Sequence, residues 1–140
     1  MTNREILFRG KRVDNGEWVY GFYVERKSDS ATYIVTSTIG ASIYSEINNM
    51  TATAFRVIPE TVGQYTGLKD KNGKRIFEGD ILSINRHLQG IQIEFDNGCY
   101  IGVANNRKYK HRLEFDTPNI YEVIGNIYDN PELLGVVNNA

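Results

Sequence analysis

Three carboxylates, Asp70, Glu78 and Asp80, fall within eleven positions of the chain. Oxygen donors at that density are what a hard cation such as calcium or magnesium takes. No complete calcium-loop pattern is spelled here, and Lys69, Lys71 and Lys74 add positive charge where a cation would bind. A reading without a ligand accounts for the same residues: Asp70 starts a turn over 71–73, and Asp80 caps a corner after Gly79. The second chemical candidate is Arg107-Lys-Tyr-Lys-His-Arg112, the only dense basic segment. Arg107, Lys108, Lys110 and Arg112 offer contacts to phosphates, with Tyr109 as a platform for a base. A sheet edge blunted by lysines has the same composition. The net charge of −1 and the pI near 6.1 favour that solvated reading over a nucleic-acid-coating one.

Nucleophilic chemistry finds little support. Cys99 is the only cysteine, which excludes an intramolecular disulfide and a thiolate zinc site. Alternation places it on the apolar face of its hairpin, as a small core residue. His87 and His111 are the only histidines, and both lie in polar segments without a Ser/Asp context. Glu94 and Asp96 read as a solvent face and a turn residue. No phosphate-binding glycine loop and no HExxH motif occurs. The expectation is no enzyme, no resident metal and no cofactor. Nine tyrosines are present. Tyr23, Tyr33, Tyr44, Tyr65, Tyr100, Tyr109, Tyr121 and Tyr128 exceed what a core of this size needs, which favours a surface that binds over a pocket that transforms.

The elements that position these residues are short strands. A chain of 140 residues with 41% hydrophobic and 24% charged residues reads as one globular domain. No apolar run approaches the roughly 18 residues of a membrane span, and no signal-peptide core opens the chain, so a cytoplasmic location without membrane contact is expected. The Asn49–Thr51 sequon then has no expected role. Asn-Gly occurs at 15-16, 72-73 and 97-98, each between β-prone segments. That dipeptide is a strong hairpin signal because its residues tolerate positive φ. Requiring apolar side chains to share a face selects three-residue loops at 14–16 and 96–98. The first choice gathers Ile6, Phe8, Trp18, Tyr20, Phe22 and Val24, leaving Arg9, Lys11 and Glu17 opposite. The second gathers Ile91, Ile93, Phe95, Cys99, Ile101 and Val103.

Further strands are expected at 32–39, 53–58, 80–85 and 120–128, with a single helical turn opened by Pro59. Polar loops are expected at 25–31 and 40–52. Asn130-Pro131-Glu132-Leu133-Leu134 before Gly135 predicts a short C-terminal helix over 130–136. Within one domain over 1–140, a soft subdivision places an N-terminal antiparallel sheet at 1–60 and a small β-barrel at 62–128. The fold class expected is mainly β.

The stretch Val62-Gly-Gln-Tyr-Thr-Gly-Leu-Lys-Asp-Lys-Asn-Gly-Lys-Arg-Ile-Phe-Glu-Gly-Asp-Ile81, followed by Tyr121-Glu-Val-Ile-Gly-Asn-Ile-Tyr-Asp-Asn-Pro-Glu-Leu-Leu134, resembles the YopX family of phage and prophage proteins. Leu7-Phe-Arg-Gly-Lys-Arg with Gly16-Glu-Trp-Val-Tyr-Gly21 resembles that family's start. The resemblance implies a β-rich cytoplasmic protein of a phage or prophage with no catalytic residues to carry over. Gly63, Gln64, Thr66, Gly67, Asp70, Gly73, Glu78, Gly79 and Asp80 transfer only as a structural signature. The order Gly-Asp-Ile, strand, Asn-Gly hairpin, strand is similar to SH3-like barrels, an analogy of fold. The function expected is that of a non-enzymatic, homo-oligomeric accessory protein that binds a host or phage macromolecule. The alternatives are a nucleic-acid-binding module using 107–112, and capture of a small anionic ligand such as a nucleotide between the 63–79 loop and that run.

Overall fold

The computed structural model describes residues 5–36, 54–84, 90–104, 107–113 and 120–135. The chain divides into two compact units, Met1–Gln64 and Tyr65–Ala140, and the division falls inside a strand. The expected features at His87, Tyr44, the 40–52 loop, the sequon and residue 136 lie outside the described residues.

The first unit is an antiparallel sheet in the order β4-β3-β2-β1, formed by β1 (Phe8–Lys11), β2 (Trp18–Arg26), β3 (Ala31–Val35) and β4 (Ala54–Arg56). The first residues of β5 (Gly63–Lys69) add to the free edge of β1, with Phe8 opposite Gln64 and Arg9 opposite Gly63. β3 is the sheet's packing centre: its Ala-Thr-Tyr-Ile-Val sequence is β-branched and aromatic, and all five residues are buried. Such a strand has both faces covered. The polar 25–31 loop is shorter than expected, because Glu25 and Arg26 continue β2. At the turn, Arg26 holds Asp29 through two hydrogen bonds of 2.6 and 3.2 Å. That pair and the Ala31 amide lower the Asp29 pKa to about 2. A turn of 3-10 helix, Pro59–Thr61, stands where Pro59 predicted one.

The β1–β2 register differs from the expected one. Arg9 pairs with Tyr20 and Lys11 with Trp18, and the Arg12 amide donates to the Glu17 carbonyl at 2.9 Å, so the loop comprises residues 13–16. Trp18, Tyr20 and Phe22 therefore share a face with Arg9 and Lys11, while Phe8 shares the other with Tyr23, the ring centroids 5.8 Å apart. Local polar chemistry sets this loop. Arg12 grips the Asp14 carboxylate at 2.6 and 2.9 Å, and the Asn15 side chain accepts from the Glu17 amide at 2.9 Å. The cations on the aromatic face are accommodated by stacking: the Arg9 guanidinium lies 4.6 Å and the Lys11 ammonium 5.7 Å from the Trp18 ring centre.

In the second unit the remainder of β5 pairs with β6 (Arg75–Phe77). A five-stranded antiparallel sheet follows, ordered β10-β9-β8-β7-β11, from β7 (Asp80–Ser83), β8 (Ile91–Asp96), β9 (Cys99–Ala104), β10 (Tyr109–Arg112) and β11 (Glu122–Asn126). The expected barrel is not formed. Among the described residues β10 and β11 remain the two edges of this sheet, with no pairing that would close it. Its core is Ile76, Leu82, Ile93 and Tyr121, with Leu68, Ile91, Leu113 and Val123 packed around them.

The β8–β9 loop is a two-residue one, not the three-residue loop that face sharing selects. Asp96 pairs with Cys99 and Phe95 with Tyr100. Asn97 (φ 51) and Gly98 (φ 81) both adopt left-handed backbone, as a type I′ turn requires. Ile101, Val103 and Cys99 then join Gln92 and Glu94, and Cys99 is half-buried with its thiol directed at the Asp96 carbonyl, 3.4 Å away. Gly102 opposes Ile93, and Ile91 reaches into the space a Cβ would fill. The C-terminal helix is also corrected: Pro131–Leu134 is a turn of 3-10 helix. Four residues between Asn130 and Gly135 are too few to offset α-helix nucleation. The Asn130 side chain, expected as a cap, instead accepts from the Asn126 amide at 3.2 Å.

The turn assignment predicts that Gly98→Ala lowers stability by about 1 kcal/mol, while Asn97→Gly changes it by less than about 0.5 kcal/mol. Urea denaturation measures both; an unchanged Gly98→Ala midpoint would contradict the type I′ geometry.

Candidate functional site

The Gly-rich stretch builds two corners around two buried carboxylates. Between Tyr65↔Phe77 and Lys69↔Arg75 the β5–β6 ladder slips, so Thr66, Gly67 and Leu68 bulge from it. The Thr66 hydroxyl donates to the Ile76 carbonyl at 2.8 Å and accepts from the Leu68 amide at 3.2 Å, replacing ladder bonds the bulge removes. Asp70 follows, 4% exposed. One of its oxygens accepts from the amides of Asn72 (2.8 Å) and Lys74 (2.9 Å), and the other accepts from Val123 at 2.9 Å. The turn closes through the Gly73 amide on the Asp70 carbonyl at 3.0 Å. Burial acts to raise the Asp70 pKa, but the amides of Val123, Lys74 and Asn72 with the Lys74 charge outweigh it, and the net shift is below the ordinary 3.8.

Asp80 is 2% exposed and accepts from the Phe77 amide at 2.7 Å, across the Glu78-Gly79 turn. Gly79 adopts φ 93 there, with its amide on the Ile93 carbonyl (2.8 Å) and its carbonyl receiving the Ile127 amide (2.9 Å). Glu78 is half-buried at that turn. The two aspartates thus face backbone amides. Among the described residues no three His, Cys, Asp or Glu side chains gather where they could hold a metal ion.

The basic run lies on the outer strand of the sheet, and strand alternation splits it. Arg107, at φ 67 in the turn before β10, forms a two-bond pair with Glu94 at 2.6 and 3.0 Å, which lowers the Glu94 pKa. Tyr109 and His111 project on one face, stacked with centroids 6.1 Å apart. Lys110 and Arg112, opposite Val103 and Ile101, project on the other. All four residues of β10 and Lys108 are exposed. The Arg107–Glu94 partnership spans 13 residues and carried no local sequence signal. Likewise nothing near Asp70 in sequence announces Val123, 53 residues away.

The tyrosines divide. Tyr33, Tyr65 and Tyr121 are core residues, contrary to the surface expected for them, and Tyr100 and Tyr128 are half-buried. On β2, Tyr20 (46% exposed), Phe22 (43%) and Tyr23 (43%) are open. An open cleft of about 470 Å³ is lined, among the described residues, by Glu122, Val123, Ile124 and Leu133. Among the described residues no helix is long and apolar enough to cross a membrane.

These features define a small all-β protein built from antiparallel sheets around glycine corners and amide-bound aspartates. The family described as YopX protein matches residues 7–135, and the chain belongs to the YopX family. Among solved structures it is similar to the crystal structure of protein EF1440 from Enterococcus faecalis, with 28% identity and a TM-score of 0.59 over 94% of this chain and 99% of that one. Among curated proteins no relative matches.

Asp70→Ala strands three amides and is expected to cost roughly 3 kcal/mol, and Asp70→Asn about half of that. Because the native pKa is depressed, this stabilisation is complete above 3.8 and is lost as pH falls through the lower native value. Thermal unfolding between neutral and acid pH should show the wild type converging on Asp70→Asn. Lys69→Ala and Lys71→Ala should stay within about 0.5 kcal/mol of wild type by the same melts. A lysine change that abolished partner binding at unchanged Tm would make the corner a binding site.

Proposed function

We propose that this member of the YopX family is a non-enzymatic accessory protein of a phage or prophage that works by binding a host or phage protein. The observation that carries the reading is the exposed Tyr20–Phe22 pair on β2, continued along the same face by Trp18 beneath Arg9 and Lys11. Aromatic side chains are among those enriched in protein interfaces, because they bury much area for few frozen rotors, and arginine is enriched beside them. Of the three carboxylates that looked most like chemistry, Asp70 and Asp80 are hydrogen-bonded to backbone amides, which supports binding over catalysis.

The same face suits a second copy of the chain, since small β domains commonly extend a core across a two-fold interface. The test is a mass measurement in solution followed by affinity capture from host lysate, each with wild type and with Tyr20→Ser/Phe22→Ser. The double variant should keep its Tm within about 3 °C, as exposed substitutions do, and lose both self-association and the captured protein. A strictly monomeric wild type that retains no protein would contradict the reading. So would a double variant with undiminished capture.

A further inference from the structure

The outer edge of β10 carries an arrangement that the β2 face does not explain. The Leu113 amide donates to the Tyr100 carbonyl at 3.0 Å, so Leu113 and Tyr100 form a hydrogen-bonded pair. Such pairs alternate along an antiparallel ladder. His111↔Gly102 and Tyr109↔Ala104 are therefore of the same kind, and the N–H and C=O groups of Lys110 and Arg112 point away from β9. Among the described residues no strand takes those groups. The side chains of the same two residues lie on one face, and both residues are exposed. Glu94, the acid in register with Ile101 and Arg112, is already held by Arg107.

We propose that the outer edge of β10 is a docking strand for an extended acidic peptide segment, which adds antiparallel to it with acidic residues at alternate positions. In this geometry the residues directly opposite Lys110 and Arg112 exchange backbone hydrogen bonds with them. Their side chains fall on the same face as the two cations. Carboxylates at positions i and i+2 thus each meet one cation, and the intervening residue faces Tyr109 and His111. A second copy of β10 fits poorly. Antiparallel self-pairing in this register sets Lys110 against Arg112 twice and His111 against itself, and like charges directly opposite repel. A nucleic-acid strand also fits poorly, because a base stacked on Tyr109 lies across the sheet from Lys110 and Arg112.

This inference concerns a different surface from the β2 face, and either can fail alone. The probes are a fluorescently labelled (Thr-Glu)4 peptide, its isomer with the four glutamates in one block, and a single-stranded oligonucleotide of eight thymidines. Fluorescence anisotropy should show binding of the alternating peptide, several-fold weaker binding of the block isomer, and negligible binding of the oligonucleotide. Lys110→Ala/Arg112→Ala should weaken the alternating peptide about tenfold, as two lost opposite-charge cross-strand pairs do. Lys110→Pro removes an outward amide at a position where an edge strand tolerates proline. It should weaken binding further than Lys110→Ala while the far-UV circular dichroism and Tm stay unchanged. Equal binding of the two peptide isomers, preference for the oligonucleotide, or no binding of the alternating peptide would each overturn the proposal. Equal effects of Lys110→Pro and Lys110→Ala would overturn the edge-strand geometry.

Discussion

The second unit depends on one buried carboxylate. Asp70 takes two amides from its own turn and a third from Val123, so a single side chain fixes a tight turn and ties it to the strand that ends the five-stranded sheet. Lys71 reinforces the junction through its amide on the Tyr121 carbonyl at 3.0 Å. Tyr121 and Val123 then deliver their side chains to the cluster of Ile76, Leu82 and Ile93. A charged acceptor buried at this depth persists because its hydrogen bonds offset the desolvation cost. The depressed pKa is the signature of that balance.

The same economy explains the spacing of the signature residues. Thr66 and Gly67 are needed where β5 bulges, Asp70 and Gly73 where it turns back, Gly79 and Asp80 where β6 gives way to β7. Each polar group repairs a backbone bond that the neighbouring irregularity removes. A chain segment with so many local repairs specifies a shape, and its two buried aspartates are occupied by amides. Among the groups that face solvent are aromatic side chains on β2 and a cationic strand edge at β10. The YopX family match and the likeness to the Enterococcus faecalis protein establish kinship.

Most strand positions were legible in the sequence, because β-branched and aromatic runs between Asn-Gly and Gly-Asp corners leave few alternatives; β5 and β6, inside the Gly-rich stretch, were not. Register was not. The face-sharing criterion assumes that one side of a hairpin is buried and the other wet. Here Ile101 and Val103 are buried on the face that also carries Gln92 and Glu94, and β3 is buried throughout. Where both faces are partly covered, local turn chemistry decides: left-handed Asn97-Gly98 in one hairpin, the Arg12–Asp14 pair in the other. The basic run looked like one patch in sequence because alternation and the distant Glu94 are invisible there. The aspartates were legible as turn formers, and only the reach of Asp70 to Val123 was hidden.

Native-state hydrogen exchange at the amides of Asn72, Lys74 and Val123 tests this account most directly. If Asp70 is the staple of the second unit, all three amides exchange only with the opening that exposes the core amides of β7 and β8. Adding calcium or magnesium then leaves their rates unchanged. Rapid exchange at Asn72 and Lys74 while the core stays protected would contradict it. So would a cation-dependent change confined to these amides, which would return Asp70 to the role of a metal ligand.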